Sequence, residues 1–133
     1  MTAKKKTTTK EISPRPDVVV FPNPNPRRDY IISIENSEFT SVCPVTGLPD
    51  FGTIIVNYTP DKLCLELKSL KYYFLAFRNA GVYYEAVVNL ILDDLARLCK
   101  PRWMEIVGDF TIRGGITTRV QAEYRKKSKR KNL

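Results

Sequence analysis

The chain has 133 residues, 43% of them apolar and 27% charged, the balance of a single soluble globular domain. It contains no histidine, which excludes Ser-His-Asp and Cys-His nucleophile machinery and every His-ligated metal site. The formal charge of +8 comes from the ends, because residues 1–10 and 125–133 carry ten basic side chains and no acid, leaving 12 basic and 14 acidic groups on residues 11–124.

The chain order begins with a basic segment over residues 1–11, expected to be a solvated tail because like charges with few apolar neighbours cannot bury themselves. Nothing in it has the apolar stretch of a secretory signal, and no later run is long enough to predict a transmembrane helix. A single domain is expected over residues 12–124. It opens with a proline-rich arm, ending Phe21-Pro-Asn-Pro-Asn-Pro26, which proline geometry makes extended. Alternation from Tyr30 to Glu35 predicts a strand. Asn36 to Asp50 reads as a shaped loop containing Cys43-Pro-Val-Thr-Gly-Leu-Pro-Asp50. Strands follow over residues 51–58 and 63–67, with a turn at Thr59-Pro-Asp-Lys62.

Leu70, Tyr73, Phe74 and Phe77 fall at helical spacing, with a stop at Asn79-Ala-Gly81. A longer helix carries Tyr84, Val87, Val88, Ile91, Leu95 and Leu98 on one stripe and ends at Pro101. Residues 102–112 and 115–124 alternate again, and Gly114-Gly115 between them signals a hairpin or bulge. Residues 125–133 form a second basic tail. The order β-β-β-α-α-β-β predicts an antiparallel α+β domain with both helices on one face of the sheet. A one-sided sheet leaves edges to manage, so a homo-oligomer is expected.

Three cysteines without metal-ligand spacing suit a reducing cytoplasm better than a disulfide framework. Cys64 and Cys99 sit in apolar patterns and read as small core residues. Cys43, in a loop beside a proline, is either a nucleophile with Asp50 as its acid-base partner or a loop cysteine beside an ordinary turn aspartate. Leu65-Glu-Leu-Lys-Ser-Leu-Lys71 spans a strand-to-helix junction, where Lys68, Ser69 and Lys71 suit a phosphate or merely solvate a helix start. Glu85 opens the long helix. It either complements the helix dipole or accepts paired N–H donors from a guanine-like edge. Arg113 either reaches an anionic ligand or flanks the glycine turn.

The segments Glu38-Phe-Thr-Ser-Val-Cys43-Pro-Val-Thr-Gly-Leu-Pro-Asp50-Phe-Gly, Glu66-Leu-Lys-Ser-Leu-Lys71-Tyr-Tyr, Phe77-Arg-Asn79 with Glu85, and Phe110-Thr-Ile-Arg-Gly-Gly115 resemble one family. It is that of the NADPH-dependent 7-cyano-7-deazaguanine reductases, the nitrile reductases of queuosine biosynthesis in tRNA modification, in their short single-domain form. The resemblance covers about residues 28–120 and implies the tunnelling fold. It also implies that Cys43 attacks the nitrile carbon to form a thioimide, that Asp50 gives a proton to the nitrogen, and that two NADPH are used per turnover. Glu66, Glu85 and Tyr84, with Leu65 and Leu67, would bind the deazaguanine, while Lys68, Ser69, Lys71 and Arg113 would serve NADPH. Stacked rings of subunits, with the pocket between them, are implied as well.

Two positions depart from the family pattern: Tyr84 stands where many members carry His, and Leu67 where others carry Ser. A zinc cyclohydrolase of the same fold is excluded by the missing histidines. The competing class is a non-catalytic RNA-associated protein acting through its basic tails; the reductase reading requires neither nucleic acid nor membrane.

Overall fold

The computed structural model describes residues 17–127. It contains β1 (Val20–Pro22), β2 (Ile32–Val42), β3 (Pro49–Thr59), β4 (Leu63–Leu65), α1 (Leu67–Leu75), α2 (Tyr84–Cys99), β5 (Trp103–Arg113) and β6 (Ile116–Arg125). The four long strands form one antiparallel sheet in the order β2-β3-β5-β6, and β1 pairs with β4 in a small second sheet. From β2 onward the element order is the expected one, an antiparallel α+β domain. The arm contributes an additional short strand, β1, because Val20 and Phe21 can reach the ladder of Leu65 and Cys64 just before the prolines interrupt it.

Period-two alternation puts Ile54, Val56 and Tyr58 of β3, and Met104 and Ile106 of β5, on one face, where all are fully buried. The stripe Val87, Val88, Ile91 and Leu95 of α2 covers that face. Phe39, Tyr73, Phe74 and Phe77 pack edge-on or tilted at centroid separations of 5.4–6.3 Å, joining α1 to β2. Phe77 lies beyond the end of α1, yet it is fully buried, so the helical periodicity marks a core position in the following turn. Lys100 closes α2 in the left-handed conformation, with Pro101 next. Arg125 is taken into β6, and Lys126 pairs with Asp61 at 2.6 Å. The rest of the expected tails, residues 1–11 and 128–133, lies outside the described residues, as do residues 12–16 of the arm.

The region expected as a loop from Asn36 to Asp50 is mostly strand. β2 runs on to Val42 and β3 starts at Pro49, leaving a six-residue connection. What concealed it is a one-residue bulge: the register pairs Asn36 with Ile54 but Phe39 with Gly52. The Asn36 side chain accepts the Glu38 N–H at 2.9 Å and holds the irregularity. Because side chains alternate, one extra residue exchanges the faces. Ile32 and Ile34 face the core before the bulge, Phe39 and Ser41 after it. A second bulge lies in β5, where Phe110 pairs with Thr118 but Arg113 with Ile116. Gly114 and Gly115, both at positive φ, then close the two-residue hairpin that their sequence predicts.

Candidate active site

Both bulges open toward the same end of the sheet, and there the chain gathers its chemistry. The first carries the odd-numbered positions of β2 to the core side, so Cys43 leaves β2 toward Asp50. The second turns Arg113 onto the side that Phe110 already faces. Asp50 is buried, 7% exposed, and the Arg113 Nη1 lies 2.9 Å from its Oδ1. The same guanidinium also acts on the Cys43 thiol, which it helps to lower. The pairing Ser41↔Asp50 places the Ser41 side chain beside the carboxylate on the same face, and its buried hydroxyl has no hydrogen-bond partner among the described residues.

The connection that holds Cys43 is a tight loop. Its N–H donates to Leu48 O and its carbonyl accepts from Gly47 N, each at 2.8 Å, with Gly47 at positive φ. Val42 is bonded on both sides to the α1–α2 linker, through Ala80 O and Val82 N. The Thr46 N–H donates to Cys43 Sγ at 3.5 Å, and the Thr46 hydroxyl accepts from Leu48 N, which frees its own proton for the sulfur. These donors stabilise a thiolate. The Thr46 hydroxyl, the Thr46 and Val45 amides and the Arg113 guanidinium together lower the Cys43 thiol to about 7. Cys99, by contrast, is pushed up to about 12 by burial. Cys43, Cys64 and Cys99 are all free.

The Tyr84 ring lies flat on Phe110, with centroids 3.8 Å apart and planes 6° from parallel. Two glycines make room for Phe110: a Cβ on Gly52 would meet the ring at 2.7 Å and one on Gly108 at 2.8 Å. Burial, and then a hydrogen bond to Asp50, raise the Tyr84 phenol. Glu85 follows it in the first turn of α2, exposed, where no side chain caps the helix amides.

The second predicted group sits elsewhere. Glu66 caps α1, its two oxygens accepting Ser69 N at 2.8 Å and Lys68 N at 2.9 Å, and those amides hold its carboxyl below the usual carboxylate range. The Ser69 hydroxyl donates to Glu66 O and accepts from Val19 N. It therefore ties the arm to the helix. Lys68, Lys71 and Leu67 are exposed, and Leu65 is buried. The nine residues of α1 separate this group from the Cys43 end by roughly 13 Å. Between α1 and β2 runs a groove of about 420 Å³, lined by Leu67, Lys71, Phe74, Leu75 and Arg78 against the β2 bulge. Neither Cys43 nor Asp50 lines it.

Arg113 thus joins Cys43 and Asp50 rather than the lysines, and Thr46, Ser41 and Phe110 were not singled out from sequence. Thr46 lay in plain view, three residues from the cysteine inside the shaped loop. Ser41 and Phe110 could be found only once the register was known. Among the described residues no cluster of three or more potential metal-binding side chains occurs, and no helix is long and apolar enough to cross a membrane.

The family profile described as QueF-like protein matches residues 49–129. A protein named NADPH-dependent 7-cyano-7-deazaguanine reductase from Chlorobaculum tepidum is 62% identical over 109 residues, 82% of this chain and 93% of its own length. The protein of the same name from Chloroherpeton thalassium is 64% identical over 78% of this chain and 90% of its own. The chain belongs to this family. The fold agrees with a solved archaeosine synthase QueF-Like in its apo form, at a TM-score of 0.66 and 19% identity, covering 70% of this chain and 91% of that one. The expected tunnelling-fold class is therefore the family's own.

Proposed function

We propose that this protein reduces the nitrile of 7-cyano-7-deazaguanine to 7-aminomethyl-7-deazaguanine with NADPH, in queuosine biosynthesis. The observation that carries the reading is the convergence of a thiol poised near neutrality and a buried carboxylate on one arginine, in a chain 62% identical to a reductase of that name. Cys43 attacks the nitrile carbon and becomes a thioimide, while Asp50 delivers the proton to nitrogen. Tyr84, stacked on Phe110, orients Asp50 and walls the pocket. Glu85 accepts the N–H edge of the base.

NADPH, when bound, supplies one hydride to each of two successive reductions. Between them Cys43 leaves as a thiolate, which its lowered pKa favours. Lys68 and Lys71, exposed one turn apart, fit the cofactor phosphates as ammonium donors. The first amides of α1 are already taken by Glu66, so the lysines supply that contact. Since Glu66 and Cys43 stand at opposite ends of α1, a second copy of the chain completes the pocket, with Glu66 of one protomer reaching the base held by Glu85 of another.

Loss of NADPH absorbance at neutral pH, with 7-cyano-7-deazaguanine under reducing conditions, tests the reading. Two NADPH consumed per substrate, and none by Cys43→Ala, are expected. No consumption by the folded, reduced protein would refute it.

A further inference from the structure

We propose that Arg113 is the positioning residue for one negative charge that Cys43 and Asp50 hold in turn, pairing with the carboxylate while the thiol is neutral and with the thiolate once Asp50 carries the proton. The inference rests on the reading of Cys43 as nucleophile and Asp50 as proton donor.

The geometry supplies one cation for two acids. Arg113 Nη1 lies 2.9 Å from Asp50 Oδ1, and the same guanidinium is near enough to the thiol to help lower it. Its planar fork lets it address both without changing position. The groups that face the thiol are Thr46 from the loop, Asp50 from β3, Tyr84 from α2 and Arg113 from β5, and Arg113 is the only one of these with a positive charge. The β5 bulge exists at the position that delivers it, one residue before the hairpin.

The step balances within the site. The thiol proton passes to the Asp50 carboxylate, the thiolate forms the S–C bond, one π bond of the nitrile breaks, and the Asp50 proton goes to nitrogen. The thiol has added across the C≡N bond, with no oxidant or reductant consumed. Asp50 ends as the carboxylate it began as, still opposite Arg113. The guanidinium neutralises each state in turn, so a charge need never stand alone beside the buried carboxyl. This accounts for how a histidine-free chain moves a proton from a cysteine.

The free protein tests the inference without substrate or cofactor. Cys43 is alkylated with iodoacetamide across pH 5–10, Cys43→Ala giving the background from the buried Cys64 and Cys99. Arg113→Gln is expected to raise the midpoint by about one pH unit, slowing alkylation at pH 6 roughly tenfold. Arg113→Lys keeps the charge and is expected to stay near the parent midpoint, while Asp50→Asn, which removes the competing anion, is expected to lower it. An unchanged midpoint in Arg113→Gln, an equal rise in Arg113→Lys, or no fall in Asp50→Asn would each overturn the proposal. Circular dichroism on every variant establishes that the fold is present. Failure of the parent protein to consume NADPH would refute the reductase reading and leave these midpoints as they are, so the two failures are distinguishable.

Discussion

Tyr84 does two separable things. Its ring stacks on Phe110, and its hydroxyl interacts with the Asp50 carboxylate, which helps raise the phenol. Tyr84→Phe keeps the stack and removes that interaction. Turnover by this variant is expected to fall about tenfold with KM little changed, the loss of roughly one hydrogen bond that matters to proton delivery; steady-state kinetics read the split directly. Glu85 belongs to the opposite case. Its carboxylate would contact the base and take no part in proton transfer, so Glu85→Ala is expected to raise KM at least about tenfold while affecting the maximal rate less. Of the residues singled out in the sequence, Cys43 and Asp50 meet at Arg113 in the fold, while Glu85 lies exposed in the first turn of α2. Ser41 and Phe110 were not legible, because their importance comes from which strand lies opposite.

At the scale of elements, the two bulges decide which side chains meet. Periodicity finds a regular strand, and a strand that changes face halfway shows neither alternation over its full length. That is why residues 36–42 read as loop although they are paired. Deleting Thr40, which pairs with Phe51 in the regular stretch beyond the bulge, removes one step of the alternation and is expected to turn Cys43 to the other face. The folded variant should then lose NADPH consumption, and its alkylation midpoint should return toward that of an ordinary thiol, about 8.5. The glycines serve the same end by another route. A methyl on Gly108 would stand 2.6 Å from Val88 Cγ2 and 2.8 Å from the Phe110 ring. Gly108→Ala is expected to cost about 1–3 kcal/mol in urea unfolding, the range for overpacked cores, and to displace the Tyr84–Phe110 stack. Helix α2 was legible almost to the residue, since a long amphipathic stripe and a terminal proline leave little choice.

For the whole molecule, the balance of charge is local as well as global. At the end of the sheet remote from Cys43, Arg102 bonds the carbonyls of Pro26 and Arg28 and pairs with Asp29 at 2.6 Å and Asp61 at 3.1 Å. Lys126 and then Arg102 hold the Asp61 carboxyl below the usual carboxylate range. A depressed carboxylate stabilises the fold above its unfolded pKa, near 4, and that contribution disappears as pH falls through the lower folded value. The thermal midpoint of Asp61→Asn should therefore lie below the parent's at pH 6, and the gap should close as the pH is taken below about 4. The basic segments outside the described residues bear on the competing RNA reading. Removing residues 1–10 and 128–133 is expected to leave NADPH turnover intact, measured in the same absorbance assay. Net charge announced a polyanion partner more loudly than the folded part supports. The tails carry most of the excess, and a sum over the chain does not record where charges sit.

The clamp around Arg102 also fixes where the polypeptide can be handled. The carbonyl of Thr59 receives the Arg102 amide, and Lys126 N donates to Arg102 O, so the last strand finishes beside the proline-rich arm. The thiol lies at the other end of the 11-residue strand β3, roughly 35 Å away. A dye attached at Lys127, just past the end of β6, would therefore stand far from the reactive sulfur and leave it free to react.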